Sequence, residues 1–217
     1  DLTMWPGFSF TIGSVTHEPL VADLMDQCDV VFHLAAAVGV RLVMNAPVHT
    51  IETNVGGTEV VLRQAARRKK LVVVASTSEV YGKGTVFPFR EGARLGLGQP
   101  MKTRWGYATS KLIDEFLALA YWQEQQLPVI VTRFFNTVGP RQSERWGMVI
   151  PNFLRQALAG EPLIVHGSGS QTRSFTWVGD VVWALLALIA EPRAVGQVFN
   201  IGNGEEVSIR QLAKMVI

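Results

Sequence analysis

Short apolar runs alternate with longer helical patterns along this chain, and that alternation limits the possible folds more than any other feature of the sequence. Residues 29–33, 71–75 and 129–134 are rich in valine, isoleucine and phenylalanine, which is typical of buried strands. Residues 47–68 and 107–126 lie between these runs and carry apolar side chains at helical spacing. Buried strands that alternate with helices predict an α/β fold with a doubly wound parallel sheet, because parallel strands are joined by right-handed crossovers that cover both faces.

The pattern changes after residue 140, and the change predicts a second, smaller unit. Before it, residues 8–12 are predicted to form a strand that ends at Gly13, and residues 19–27 a helix. We predict one domain over residues 1–140 and a smaller α/β lobe over residues 141–217, interleaved with the end of the sheet. The predicted elements of the lobe are helices at 147–159, 181–190 and 209–217, and strands at 163–166, 175–178 and 197–201.

Composition argues against several classes of protein. The net charge of +2 is too small for the clustered basic surface that nucleic-acid binding requires, so no nucleic-acid partner is expected. The longest apolar run, residues 181–190, is too short to cross a bilayer, so no membrane association is expected. Cys28 is the single cysteine and cannot form a disulfide within the chain, which favours a reducing cytoplasm. No metal site is predicted, and His33 is interpreted as a buried histidine with a hydrogen-bond partner.

Tyr107 and Lys111 are the first candidates for chemistry. They lie four residues apart in the predicted helix 107–126 and therefore share one face. An ammonium beside a phenol favours the phenolate and lowers the tyrosine pKa, which makes the tyrosine a usable general base. A surface tyrosine followed by a lysine that extends along the helix would give the same spacing by chance.

Hydroxyl side chains follow the predicted strand 71–75, in the sequence Ser76-Thr77-Ser78-Glu79. Ligands of doubly wound sheets bind at the carboxyl ends of the strands, so a hydroxyl there can polarise a substrate oxygen next to Tyr107. This order of a strand, hydroxyl residues and then Y-x-x-x-K resembles the extended short-chain dehydrogenase/reductase family, which contains nucleotide-sugar epimerases, dehydratases and decarboxylases. Further segments that resemble the family are V-F-H-L-A-A at 31–36, N-V-G-G-T at 54–58, R-F-F-N-T-V-G-P-R at 133–141, P-N-F at 151–153, L-I-V-H-G at 163–167, Q-T-R-S-F at 171–175 and F-N-I-G at 199–202.

The resemblance implies a Rossmann-like sheet whose first strands are missing, a partial dinucleotide-binding domain over 1–140, a partial substrate lobe over 141–217, and NAD as the cofactor. Tyr107 would be the base, Lys111 would hold the cofactor ribose and tune the base, and Thr77 would hydrogen-bond the reacting hydroxyl. Glu79 stands where dehydratase-like and decarboxylase-like members have an acid/base residue. The implied cofactor contacts are Ser14, Val15, Leu34, Ala35, Ala36, Asn54, Ser76, Tyr107, Lys111 and Phe134. The implied nucleotide-sugar contacts are Thr77, Ser78, Asn136, Arg141, Asn152, His166 and Arg173.

The first function that the resemblance implies is epimerisation of a nucleotide-sugar at C4, with a UDP-sugar as the expected substrate. Bound NAD would take a hydride from C4, leave a 4-keto sugar, and return the hydride to the other face. One alternative is a UDP-glucuronate decarboxylase, which the segments S-T-S-E-V-Y-G at 76–82 and G-S-G-S-Q-T-R at 167–173 favour. The other is a 4,6-dehydratase, in which an aspartate would be expected at Ser78.

Two departures from the family pattern concern the cofactor. The sequence contains no G-x-x-G-x-x-G turn for the cofactor pyrophosphate, and Ser14 stands where many relatives have an aspartate. The chain therefore looks truncated at both ends, and a catalytically incomplete binding or scaffold fragment stays open as the non-enzyme alternative. By analogy with the family, helices 47–68 and 107–126 are expected to form the four-helix interface of a homodimer.

Overall fold

The structure is a computed structural model that describes residues 4–143 and 147–217. Its helices are α1 (Glu18–Met25), α2 (Val40–Asn45), α3 (Pro47–Arg68), α4 (Trp105–Gln125), α5 (Val149–Leu158), α6 (Val178–Ile189) and α7 (Ile209–Val216). Its strands are β1 (Val30–His33), β2 (Leu71–Thr77), β3 (Val129–Phe134), β4 (Asn136–Val138), β5 (Thr172–Arg173), β6 (Phe175–Trp177), β7 (Val198–Ile201) and β8 (Val207–Ser208). The main sheet has four parallel strands in the order β1-β2-β3-β7, which confirms the predicted α/β fold with a parallel sheet.

Successive residues of β2 point to opposite faces of the sheet, and helices cover both faces. Val72 and Val74 pack in one apolar cluster with Leu62 of α3. Val73 packs in a second cluster that includes Val181 of α6. All three valines are fully buried. The uninterrupted apolar sequence of the strand therefore reflects burial on both faces, as in a doubly wound sheet.

The region after β3 forms smaller pairs of strands and its own apolar cluster. β4 pairs with β6 in parallel, and β5 pairs with β8 in an antiparallel ladder. Phe153 of α5 packs with Ile209 and Leu212 of α7. The Ser208 side chain caps α7 by accepting a hydrogen bond from Gln211 N, and the Gln211 side chain accepts one from Ser208 N in return. These contacts hold α5, α7 and the short strands β5 and β8 together in the region after β3.

Two predicted strands are absent from the described part of the chain. Residues 8–12 have no strand partner, and the side chains of Phe10 and Ile12 are 64% and 90% exposed. Residues 163–166 are also irregular, although Leu163 packs against the lobe cluster. Both predictions were wrong, because an apolar run becomes a strand only beside a partner that takes up its backbone hydrogen bonds.

Several helices differ from prediction at their first turn. α4 begins at Trp105 rather than at residue 107, and α6 begins at Val178 rather than at residue 181. Apolar periodicity is weak in a first turn that carries glycine or aspartate, as at Gly179 and Asp180. The predicted loop after β2 opens with a 3-10 helix over Ser78–Tyr81. Within the described ranges, no helix combines the length and apolar character needed to cross a bilayer.

Candidate active site

Thr77 and Tyr107 meet at the carboxyl end of β2. Thr77 is the last residue of that strand, and its Oγ1 accepts a hydrogen bond of 3.2 Å from Glu79 N, which starts the following 3-10 helix. Tyr107 lies in the first turn of α4, which packs over β2. The Thr77 hydroxyl is close enough to the Tyr107 phenol to lower its pKa. The strand end and the helix start therefore bring together the hydroxyl and the phenol that the sequence singles out.

The Tyr107 phenol is held neutral in this arrangement. Burial raises its pKa well above the ordinary value, and the nearby carboxylates of Glu79 and Asp114 raise it further, while the neighbouring Thr77 hydroxyl lowers it. The sequence predicts the opposite effect, a pKa lowered by Lys111. The difference arises chiefly because the phenol is buried, which disfavours its charged form.

Lys111 forms a buried ion pair with Asp114. Its Nζ donates a hydrogen bond of 2.7 Å to Asp114 Oδ2, and the two side chains are 3% and 0% exposed. The pair spans three residues of α4, so both charges lie on the inner face of that helix. Burial raises the pKa of the Asp114 carboxyl group, and the ammonium lowers it. The Asp114 carboxylate balances most of the Lys111 charge, so the ammonium has little effect on the Tyr107 phenol.

His33 and Thr58 lie beside this ion pair. His33 is 4% exposed, and its Nε2 lies 3.0 Å from Thr58 Oγ1, which confirms the predicted buried histidine with a hydrogen-bond partner. Burial, followed by the charge of Lys111, lowers the pKa of His33 to about 4. The ring is therefore neutral near pH 7. The hydroxyl of Thr58 lies close enough to Asp114 to lower the pKa of its carboxyl group as well.

Glu79 faces two arginines. Although its side chain keeps contact with solvent, loss of surrounding water raises the pKa of its carboxyl group, while Arg104 and Arg173 lower it. Arg104 directly precedes α4, and its guanidinium lies 4.8 Å from the centre of the Trp105 ring. Sequence reasoning did not single out Arg104. The only available signal was its place three residues before Tyr107, on the same side of the helix start.

The end of β1 and helix α3 provide the surface expected for the cofactor. Asn54 Oδ1 accepts a hydrogen bond of 2.7 Å from Ala37 N, and its Nδ2 donates one of 3.0 Å to Ser110 Oγ, so this buried amide links the turn after β1 to α4. Leu34 and Ala35 are exposed on that turn, and Ala36 is half-buried. The small and apolar side chains of Leu34, Ala35 and Ala36 suit the nicotinamide and ribose half of a dinucleotide, for which Lys111 is the expected ammonium.

Other predicted cofactor residues make contacts of their own within the protein. The side chain of Ser76 is buried and donates a hydrogen bond to the Glu115 carboxylate beneath α4, so it does not face the open edge. Phe134 ends β3 and packs against the apolar cluster around Val73. Ser14 is exposed and hydrogen-bonds to Thr16. A residue predicted from a strand-end motif alone can therefore point to either face of the sheet.

The other predicted substrate residues are spread over the 3-10 helix, β4, α5 and the loops that follow them. Asn136 Nδ2 donates a hydrogen bond of 2.9 Å to Ser174 O, the residue after Arg173. Arg173 is exposed and close enough to act on the Glu79 pKa, so it belongs to the same site. Asn152 is half-buried on α5, His166 is exposed before the glycine-rich turn, and Ser78 is half-buried in the 3-10 helix. Arg141 is exposed with a left-handed backbone, at φ 66°.

A buried polar network anchors α4 to the sheet. Arg133 of β3 donates to both carboxylate oxygens of Glu115, from Nε at 2.9 Å and from Nη2 at 2.7 Å. Its Nη1 donates to the Tyr81 hydroxyl at 2.9 Å, and its guanidinium lies 4.9 Å from the centre of the Tyr81 ring. The Arg133 and Glu115 side chains are 5% and 4% exposed. This network fixes the helix that carries Tyr107.

The long loop between the 3-10 helix and α4 is tied to the same network. Arg133 Nη1 also donates to Glu91 O at 3.1 Å, and Asn200 N of β7 donates to Glu91 Oε1 at 2.8 Å. Phe89 stacks on Tyr81 with ring centres 4.4 Å apart, and Phe89 O accepts from Asn200 Nδ2 at 3.2 Å. The loop is therefore held against the sheet by several independent contacts.

Comparison with known proteins shows the family to which the chain belongs. The sequence profile of the NAD dependent epimerase/dehydratase family matches residues 3–202. The chain belongs to this family. Members of the family are enzymes with NAD as cofactor. The resemblance stated from the motifs is thereby confirmed.

The similar proteins include decarboxylases and an epimerase. A UDP-N-acetyl-alpha-D-glucosaminuronate decarboxylase from Bacillus cytotoxicus is 45% identical over 93% of this chain and 62% of its own length. UDP-glucuronic acid decarboxylase 1 from Xenopus tropicalis is 39% identical over 93% of this chain and 47% of its own length. The solved UDP-glucuronic acid 4-epimerase from Bacillus cereus, in complex with UDP-glucuronic acid and NAD, superposes with a TM-score of 0.89 at 28% identity, over 99% of this chain and 66% of that structure. The chain thus spans less than two thirds of the length of each.

Proposed function

We propose that the protein containing this chain decarboxylates a UDP-linked uronic acid, with NAD as cofactor. The observation that carries the proposal is the 45% identity to a UDP-N-acetyl-alpha-D-glucosaminuronate decarboxylase. A second decarboxylase at 39% identity supports the same activity. Of the functions weighed from the sequence, decarboxylation therefore has better support than epimerisation at C4.

Each site residue of this chain would have its own part in the proton transfers of such a reaction. Thr77, whose hydroxyl lies near the Tyr107 phenol, would orient the C4 hydroxyl of the sugar by hydrogen bonding. Lys111 would stabilise the phenolate form of Tyr107, which would accept the hydroxyl proton and become a neutral phenol. When bound, NAD supplies the redox step by taking the C4 hydrogen and returning it later. The carbonyl formed at C4 then accepts the electrons released when the carboxylate leaves as CO₂.

Charge in the site suits a substrate with a carboxylate. Arg104 and Arg173 both act on the Glu79 carboxyl group, so two guanidiniums face the region beside Tyr107. Guanidinium groups bind carboxylates and phosphates through paired hydrogen bonds. We propose that one contacts the uronate carboxylate and the other the diphosphate. Glu79, whose pKa is raised by loss of water, would protonate C5 after CO₂ has left.

The test uses the full-length protein with NAD and either UDP-glucuronate or UDP-N-acetylglucosaminuronate. Decarboxylation produces CO₂ and a UDP-pentose that mass spectrometry detects by the lost mass. An epimerase would leave the mass unchanged and alter the C4 configuration seen by proton NMR, and that result would refute the proposal. Loss of water would instead indicate a dehydratase.

Variants at the site make the test specific. Tyr107→Phe removes the base and is expected to lower kcat about 10³-fold, within the range typical for general bases. Glu79→Gln keeps the shape of the side chain and removes its proton, so it should slow product formation after CO₂ release. The matched control is Glu124→Gln, because Glu124 is exposed on α4, the helix that carries Tyr107. This substitution should leave the rate unchanged.

We also propose that the protein is a cytoplasmic homodimer. The proposed interface is a patch of exposed apolar side chains on α3 and α4, namely Val48 at 66%, Ile51 at 41%, Ile113 at 42% and Phe116 at 68% exposure. Exposed apolar patches on paired helices commonly pack against a second subunit. The single cysteine is consistent with a reducing compartment.

A further inference from the structure

Asp114 has an unusual environment for a carboxylate. It is fully buried, its Oδ2 accepts a hydrogen bond of 2.7 Å from Lys111 Nζ, and its Oδ1 has no hydrogen-bond partner among the described residues. The Thr58 hydroxyl lies 3.0 Å from His33 Nε2 and is close enough to Asp114 to lower the pKa of its carboxyl group. A buried carboxylate with an unpaired oxygen is costly for stability, so its presence next to a catalytic lysine calls for a functional explanation.

The ion pair places a negative charge behind the lysine that should activate Tyr107. Tyr107, Lys111 and Asp114 lie at intervals of four and three residues along α4, so all three share one face of the helix. The Lys111 ammonium is paired with Asp114, three residues further along α4, and both side chains are buried. The phenol therefore experiences the lysine together with its counter-ion, and not a free positive charge.

We propose that Asp114 is a positioning residue that holds the Lys111 ammonium in the interior and balances its charge, so that Tyr107 becomes a base only when the lysine is drawn toward bound cofactor. The inference rests on the proposed role of Tyr107 as the base. Its basis is the buried 2.7 Å ion pair and the unpaired second oxygen. Asp114 raises the Tyr107 pKa in this geometry, in agreement with the proposal.

The charged and titratable groups around these residues are few. Glu79 of the 3-10 helix raises the Tyr107 pKa, and the Thr77 hydroxyl at the end of β2 lowers it. Lys111 and Glu115 of α4 act on Asp114, together with Thr58 of α3. His33 of β1 stays neutral above its pKa of about 4. Neutralising Asp114 therefore removes one of the charges that raise the Tyr107 pKa and leaves Glu79 in place.

The experiment follows the ionisation of Tyr107 directly in the unliganded chain. Tyrosine labelled with ¹³C at Cζ gives one NMR signal for each of the three tyrosines, and Tyr107→Phe assigns the signal. Asp114 lies seven residues from Tyr107, a rise of roughly 10 Å along the helix. At that distance loss of one charge in a partly buried setting shifts a pKa by about one unit. Asp114→Asn, measured at low salt, should therefore show about tenfold more phenolate at a given alkaline pH.

The outcomes separate this inference from the proposed function. Asp114→Glu should restore the wild-type titration, and Glu124→Gln, at the far end of α4, should not change it. An unchanged or smaller phenolate fraction in Asp114→Asn would overturn the inference. Asp114→Ser is a second variant that removes the charge, and it should also increase the phenolate fraction. If neither Asp114→Asn nor Asp114→Ser folds, Asp114 has a structural role only and the inference is overturned. Because the titration needs no turnover, a shift found together with no decarboxylase activity in the full-length protein would refute the proposed function and leave this inference standing.

Discussion

The ion pair between Arg133 and Glu115 gives the sharpest prediction about stability. Glu115→Gln keeps the size of the side chain and removes the charge that two guanidinium hydrogen bonds share, at 2.9 and 2.7 Å. Both side chains are at most 5% exposed, so water cannot replace the lost partner. Removing one member of a buried ion pair costs about 3–5 kcal/mol, because the other charge is left uncompensated.

The cost can be measured by urea unfolding. With a slope of about 3 kcal/mol per molar urea, a loss of about 4 kcal/mol lowers the unfolding midpoint by about 1.3 M. The double variant Arg133→Met with Glu115→Leu removes both charges and should recover more than half of the loss. Glu161→Gln is the matched control, because the Arg155–Glu161 pair at 2.9 Å is 45% and 52% exposed. Such exposed pairs contribute about 0–1 kcal/mol.

The result that would refute this reasoning is equally specific. A midpoint for Glu115→Gln within about 0.3 M of the wild type, the shift expected of an exposed pair, would mean that the charge is not needed. A double variant less stable than the single variant would mean that packing around Tyr81, rather than charge, holds the network together.

Three further predictions follow from other parts of the molecule. The pKa of His33 is about 4 in the folded chain against 6.5 when unfolded, so the unfolded chain binds the proton more tightly. The free energy of unfolding should therefore fall by about 2 kcal/mol from pH 7 to pH 5. Urea unfolding of His33→Gln should show a clearly smaller fall. Asn54→Ala removes hydrogen bonds to Ala37 N and Ser110 Oγ and should cost about 2 kcal/mol in the same assay, whereas an unchanged midpoint would contradict the linking role. Phe116→Glu should convert a dimer to a monomer in light scattering, while Leu158→Glu, at an 89% exposed site on α5, should not.

Local spacing predicted the parts of the site that local geometry controls. Tyr107 and Lys111 share a helix face whatever surrounds the helix, and Thr77 follows a strand whose carboxyl end must be a ligand edge. The parallel sheet was predictable for the same reason, since β2 reads as an uninterrupted apolar run. Family resemblance added NAD and the class of substrate.

The remaining features depend on tertiary contacts that no spacing rule contains. Asp114 stands three residues after Lys111, a spacing that fits an exposed pair as well as the buried one observed. Ser76 was placed at the cofactor edge, but its partner Glu115 lies 39 residues away in sequence. Residues 8–12 have the composition of a strand, and only the absence of a neighbouring strand in the described chain shows that they are not one.

The anchoring of the loop after the 3-10 helix has a consequence for the construction of chimeric enzymes. Exchanging that loop between relatives to alter substrate choice would remove Phe89 and Glu91, which bind Tyr81, Arg133 and Asn200. A grafted loop would keep the position of α4 only if it carried an aromatic ring and a carboxylate at those two places. The loop can therefore vary freely only at residues outside those two contacts, and a library of variants should hold both fixed.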